Sequence, residues 1–519
     1  MSTYQSPGVY IVEEDKGTKP IESVGTAVAA FVGYTEKAER RDGGGELTSV
    51  TGQAVAVTNW SQYLDTFGSF VEGAYLPYSV FGYFQNGGSR CYVVSVKSLG
   101  QSPDPELASP ATAMLPAAAD KLGESLEIEA KSGGPAGNEI KVTVKPEEDE
   151  TLFTLIIDSP AGTETYPGLT LGKGDNNVET ATAQSKLVVI KIAKSSGTLA
   201  ERKPKEGTYE LTGGKIETKE VTVTDYRGKV AERTGLGGLT AIDDITMLAV
   251  PDLMASYEAG EMAIEDVQAV QQAAYEHCEN VKYCFAVLDA PPDLLPQDMA
   301  NWRMQANYDS KYAAIYYPWL EVADAVKGRG TVRIPPSGHV AGVYARSDAE
   351  RGVHKAPANE VVRGATGLPI QVTRAEQDML NPIGVNCIRS FPGRGIRIWG
   401  ARTLSSDASW RYINVRRLFN MVEESIERGT QWVVFEPNDR DLWARVRRDV
   451  TAYLKTVWSS GALFGSTPQE AFYVKCDDEL NPPEVRDLGQ LIVEIGLAPV
   501  KPAEFVIFRI SQWAGPAAE

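Results

Sequence analysis

The residues that could do chemistry are few, and their spacing suits little of it. The 519-residue chain carries three histidines (His277, His339, His354) and five cysteines (Cys91, Cys278, Cys284, Cys387, Cys476). His277-Cys278 with Cys284 offers three soft donors at a helix-to-strand junction, but no fourth ligand at zinc spacing. Thiols at such junctions are commonly packed in the interior. Asp477-Asp478-Glu479 lacks the alternating ligand spacing of a calcium loop and reads as a solvated turn. Gly393-Arg394-Gly395 and Gly235-Leu236-Gly237-Gly238 could bend backbone around a phosphate. Neither runs into Gly-Lys-Ser/Thr, and neither completes a dinucleotide fingerprint. The Gly-x-Ser-x-Gly elbow of a serine hydrolase is missing. The expectation is therefore no catalytic residue, no cofactor and no metal.

Charge is the more informative signal. The formal net charge is -18 and the pI about 4.9, which argues against nucleic acid as a main partner. The charge is unevenly placed. Residues 386–460 hold 13 Lys+Arg against 8 Asp+Glu, residues 100–240 hold 16 against 22, and residues 466–519 hold 4 against 9. Within the basic stretch, Arg445, Arg448 and Lys455 are spaced by three and seven, so a helix would place them on one face. Such a face is either merely solvated or docks an acidic protein surface. Five scattered cysteines suit reduced thiols of a cytoplasm. The sequence holds no apolar run of about 18 residues, and its first residues predict no secretory signal or membrane insertion.

The elements that must position these residues follow from hydrophobic period. "VGTAVAAFVGY" (24–34) reads as a buried strand, 59–64 as a short helix, and "YLPYSVFGYFQ" (75–85) as an amphipathic helix stopped by Asn86-Gly87-Gly88. "CYVVSV" (91–96) is a strand. Between 100 and 240 aromatics thin out. Short alternating runs at 125–130, 139–144, 151–157 and 186–192, separated by turns, predict a small all-β insertion. The α/β pattern resumes with strands at 245–253, 283–289 and 312–320 alternating with helices at 264–278 and 296–306, which implies a largely parallel sheet. Two long helices, 411–428 and 439–458, flank an expected strand at 431–435. Further strands are expected at 491–495 and 504–510.

Both ends carry a short strand beyond a Pro or Gly break: Val9, Tyr10, Ile11 and Val12 at the front, and Phe505, Val506, Ile507 and Phe508 within 504–510 at the back. An isolated strand needs partners for its N–H and C=O groups. It finds them in its own core sheet or by adding to a neighbour's sheet edge.

The motifs resemble the tail sheath proteins of contractile phage tails and contractile injection systems. The resemblance rests on "SPGVYIVEEDKGTKPIESVGTAVAAFVGYTEKA" (6–38), "YLPYSVFGYFQNGGSRCYVVSV" (75–96), "GGPAGNEIKVTV" (133–144), "YELTGG" (209–214) and "GLGGLTAIDDITMLAVPDL" (235–253). Its most specific blocks are "PPSGHVAGVYARSDAERGVHKAPANE" (335–360) and "LNPIGVNCIRSFPGRGIRIWGARTL" (380–404). One departure is Ala136, where the family often has Trp.

The resemblance implies an α/β (α+β) discontinuous core, a mixed sheet flanked by helices, with an inserted all-β domain and extended terminal arms. The expected division is an arm at 1–20, core at 21–100, an outward-facing insertion at 101–239, core at 240–380, a tube-facing region at 381–498 and an arm at 499–519. The resemblance also implies a non-enzymatic homo-oligomer of six-fold rings stacked into a helical sheath around an inner tube protein, with baseplate and terminal cap proteins as further partners. Such particles are built in the bacterial cytoplasm and driven by contraction from a metastable extended state. The arms would join sheets in adjacent cores, and Arg445, Arg448 and Lys455 would face the tube. The alternative is a surface-binding module whose β insertion recognises a cell or glycan.

Overall fold

A computed structural model describes residues 20–509, apart from Asp42, Gly44, Glu46, 101–107, Ala161 and 217–219. Its centre is a mixed eight-stranded sheet. In chain order its strands are β1 Val28–Thr35, β2 Ala54–Val57, β3 Arg90–Ser98, β4 Met247–Ala249, β5 Ala286–Asp289, β6 Ala313–Tyr317, β7 Val385–Phe391 and β8 Gly395–Ile398. Their order in space is β8-β7-β6-β5-β4-β1-β3-β2. The six middle strands are parallel and the two edge strands antiparallel. β1 and β5 are buried along almost their whole length, the expected state of parallel strands covered on both faces.

Helix Leu76–Asn86 starts with Pro in its first turn and stops at Gly87, whose φ of 119° is costly for any side chain. The expected amphipathic pattern is overridden, because most of the helix is buried. Helix Ser337–Arg351 lies against it, with Gly338 on Ser79, Gly342 on Tyr83 and Gly82 on the His339 ring, so both backbones approach closely.

The β stretch forms two four-stranded antiparallel sheets from strands between Ala108 and Ile216. They share a core that includes Leu126, Ile128, Val142, Val144, Leu155 and Ile157, the inward residues of the alternating runs.

The C-terminal helices Ile413–Gly429 and Arg440–Ser459 pack through Leu418, Val422, Trp443, Val446, Val450 and Leu454. Asp439 caps the second by accepting from Leu442 N–H at 2.8 Å. The expected strand at 431–435 is corrected to a single 3₁₀ turn, Gln431–Val433. Trp432 and Val433 pack against the helix pair, while Phe435 stands fully exposed with φ of 68°. The β-rich composition there serves helix packing and a loop tip. The strand expected at 491–495 lies at Glu494–Leu497 and pairs with Phe472–Lys475, a strand the sequence reading missed, to form a two-stranded ribbon.

Candidate assembly interface

In a doubly wound sheet, ligands bind beyond the carboxyl ends of the strands where strand order reverses. Here the reversal lies between β1 and β4, and the position is filled from within. Asp252, just after β4, is fully buried. It accepts from Tyr34 N–H at 2.6 Å, Leu76 N–H at 3.1 Å and Tyr75 N–H. A Cβ on Gly33 would collide with its carboxylate. The carboxylate therefore caps the N-terminus of helix Leu76–Asn86, where a free anion would otherwise sit. One strand further on, Asp289 at the end of β5 accepts from Ser337 N–H at 2.8 Å, at the start of helix Ser337–Arg351. Burial pushes both carboxyls up to about 7, with backbone N–H bonds pulling the other way.

His339 and the cysteines are also turned inward. His339 is buried against Gly82, and burial lowers it to about 4. All five cysteines are buried, and burial raises Cys387 to about 12. Among the described residues no three His, Cys, Asp or Glu side chains gather into a metal cage. No described helix is long and apolar enough to cross a membrane.

The outward-facing chemistry lies in the C-terminal third. Helix Arg440–Ser459 does place Arg445, Arg448 and Lys455 on the side away from its buried stripe. Two of the three are already engaged. Arg445 reaches Glu436 at 3.3 Å and lies over Trp432, and Arg448 reaches Asp449 at 2.9 Å. Lys455 has no carboxylate within ion-pair distance among the described residues.

The C-terminal arm is held at its base by Asn414 and Ala462 on Val500 and, further out, by a cluster around Glu504. Glu504 receives both Nε and Nη2 of Arg402, at 2.9 and 2.8 Å, Nδ2 of Asn381 at 2.7 Å and the hydroxyl of Tyr412 at 2.9 Å. Burial alone would push this carboxyl up, but these hydrogen bonds outweigh it and hold it below the usual range. Sequence reading missed this residue, since a lone Glu after a Pro carries no motif. Immediately beyond it, Phe505, Val506, Ile507 and Phe508 are 68–83% exposed. They form no strand within the subunit, so the strand expected at 504–510 is absent over the described residues 504–509. Val9, Tyr10, Ile11 and Val12 lie outside the described residues. Among the described residues the ribbon Phe472–Lys475/Glu494–Leu497 pairs with no third strand, and Phe464 and Tyr473 beside it are exposed.

The arrangement is a closed interior with a sticky C-terminal surface, and comparison with known proteins gives it a family. Residues 234–404 match the phage tail sheath protein central domain, and 405–512 match the phage tail sheath C-terminal domain, together more than half of the chain. This chain belongs to the phage tail sheath family. The tail sheath protein of Vibrio phage KVP40 is 27% identical over 292 residues, which are 50% of this chain and 42% of that protein. The match thus spans less than half of that relative's length. Two solved assemblies extend the likeness to the whole fold. The sheath complex of an extracellular contractile injection system (PVC) in its contracted state has a TM-score of 0.58 at 26% identity, covering 99% of each chain. The helical sheath of the anti-feeding prophage in its contracted state has a TM-score of 0.58 at 25% identity, covering 98% of this chain and 100% of that one. The chain is a structural subunit of a contractile sheath, and the alternative of a glycan-reading surface module is not favoured.

Proposed function

We propose that the subunit polymerises as stacked six-membered rings around an inner tube and shortens from a metastable extended lattice, driving the tube through a target envelope. Baseplate and terminal cap proteins bound the lattice, and assembly takes place in the bacterial cytoplasm. The role is mechanical and non-enzymatic: the energy is the difference between two packings of the same rigid subunits. The arms, 1–20 and 499–519, keep neighbours connected while the cores move, the insertion 101–239 faces outward, and 381–498 faces the tube.

One observation carries this reading. Four consecutive apolar residues, 505–508, stand exposed beyond an anchored Glu504, and an unpartnered two-stranded ribbon stands open in the same third of the chain. A two-stranded sheet is marginal alone, and an open edge is a template for another strand. A five-residue strand added from a neighbour supplies roughly five backbone hydrogen bonds, each contributing about 0.5–1.5 kcal/mol. Repetition along a lattice multiplies that modest term. Val9–Val12 is the second strand donor in this scheme. The face bearing Arg445, Arg448 and Lys455 meets the tube, with Lys455 as its least compensated charge.

Deleting 503–519 or 1–16 should abolish polymerisation while leaving a folded subunit. Sheaths of normal length from either truncation, seen by electron microscopy, would refute strand exchange. Charge reversal at Arg445, Arg448 and Lys455 should release sheath from tube. Tube-bound extended sheaths in that variant would remove the patch from the scheme.

A further inference from the structure

A groove of about 1000 Å³ lies beneath the base of the C-terminal arm. One wall is the arm segment Val500–Val506, and the other elements around it are the end of helix Ser337–Arg351, helix Arg374–Leu380 and the hairpin β7-β8. Its lining is both aromatic and basic. Phe391 and Trp399 face it, with Arg394 stacked over both rings. Arg351, Arg374 and Arg389 line it, and none has a carboxylate within ion-pair distance among the described residues. Arg389 donates from Nη1 to Gln377 at 2.9 Å, while its buried Nε has no partner. Against them stands one lining carboxylate without a bonded partner, Asp378; the other, Glu504, is taken by Arg402. Unpaired guanidinium groups around an aromatic floor suit an acidic, apolar-flanked peptide.

The chain contains such a peptide. In its N-terminal arm the apolar run Val9-Tyr10-Ile11-Val12 leads directly into Glu13-Glu14-Asp15. The groove of the same subunit is badly placed to receive it. The chain leaves the core along helix Ile413–Gly429. Thr26 accepts from Arg417 through its carbonyl, Val24 N–H donates to Ser425, and Ile21 sits on Gly429. The groove lies at the other end of that helix, where Asn414 donates to the carbonyls of His354 and Val500. From Arg417 to Gly429 the chain travels about 18 Å away from its own groove. The six residues from Ile21 back to Asp15 span at most about 20 Å. Returning would consume all of that reach.

We infer that this groove is the seat of the acidic run Glu13–Asp15 of a second copy of the chain, making it the charge-reading half of the arm contact. The inference rests on the arm-exchange reading above and adds the feature that selects partner and register. Backbone pairing is blind to sequence, whereas opposite charge at a fixed place is not.

The test is a charge swap in the full chain. Glu13→Lys/Glu14→Lys/Asp15→Lys and, separately, Arg374→Glu/Arg389→Glu should each raise the subunit concentration needed for tube formation at low salt by about tenfold. Both sets combined should return it to within about threefold of the parent, since like pairs become opposite pairs again. Should the groove variant fail to fold, a peptide of residues 4–19 provides the second measurement. It should inhibit assembly of the parent chain, and the same peptide with its three acids as lysines should not. Normal assembly of the acid-reversed chain, an unrescued combination, or equal inhibition by both peptides overturns the inference. If deletion of 1–16 abolishes tubes while the acid-reversed chain assembles normally, only the groove assignment fails. If the deletion leaves tubes intact, arm exchange fails with it.

Discussion

The carboxyl end of the core sheet and the groove under the C-terminal arm are opposites. At the sheet, the two buried carboxylates have their partners inside the subunit: Asp252 takes three N–H donors and Asp289 takes the first N–H of helix Ser337–Arg351. At the groove, Arg351, Arg374 and Arg389 stand without a carboxylate partner among the described residues, and the adjoining Phe505–Phe508 are exposed to solvent. A doubly wound sheet normally keeps its strand ends open for ligand. Closing that end while leaving unpaired charge, apolar arm and sheet edge elsewhere suits a protein whose substrate is its own neighbour.

The contrast can be attacked from both sides. The largest effect belongs to the arm: Phe505→Ala with Phe508→Ala should stop tube formation yet leave the subunit's melting temperature unchanged, because neither ring is packed within it. Light scattering and circular dichroism together decide this. Next, Asp252→Ala should destabilise the unassembled subunit by about 3–9 kcal/mol, since three buried N–H donors lose their acceptor at about 1–3 kcal/mol each; denaturant titration measures it. Glu504→Gln comes third. It weakens the clamp from Arg402 and should make the bond after Phe505 more sensitive to chymotrypsin without changing the core's melting temperature.

The smallest effect is a pH dependence. Asp252 and Asp289 are raised from an ordinary 3.8 to about 7, chiefly by burial. The folded state then binds protons more tightly than the unfolded chain. Their contribution is full below the unfolded value and is lost as pH rises through about 7. The subunit should melt a few degrees higher at about pH 6 than at about pH 8. Asp252→Asn should flatten that slope, and an equal slope in the variant would assign it elsewhere.

Period and punctuation made much of the fold readable. Helix Pro296–Ala306 matches its expected bounds, and Arg440–Ser459 starts after the expected Asp439. The β runs between 125 and 192 lie where alternation put them, because one face of each sheet is buried. The stretch 431–435 failed because Trp, Val and Phe pack helices as readily as sheets. The strand at 472–475 was hidden because its partner, Glu494–Leu497, is not adjacent in sequence. Charge was legible as an amount but not as a place. The basic excess of 386–460 suggested the helix with Arg445 and Arg448, yet both pair locally. Arg389, in the same stretch, lacks a carboxylate partner among the described residues because β7 turns it toward the groove, and Arg394, in the turn between β7 and β8, stacks on Phe391 and Trp399.

The central claim, assembly through exchanged arms, is tested most directly by negative-stain microscopy of purified full chain beside the chain lacking 503–519, at matched concentration and with matched melting curves. The account predicts striated tubes from the full chain and none from the truncated one. Tubes of equal length and number from both would contradict it.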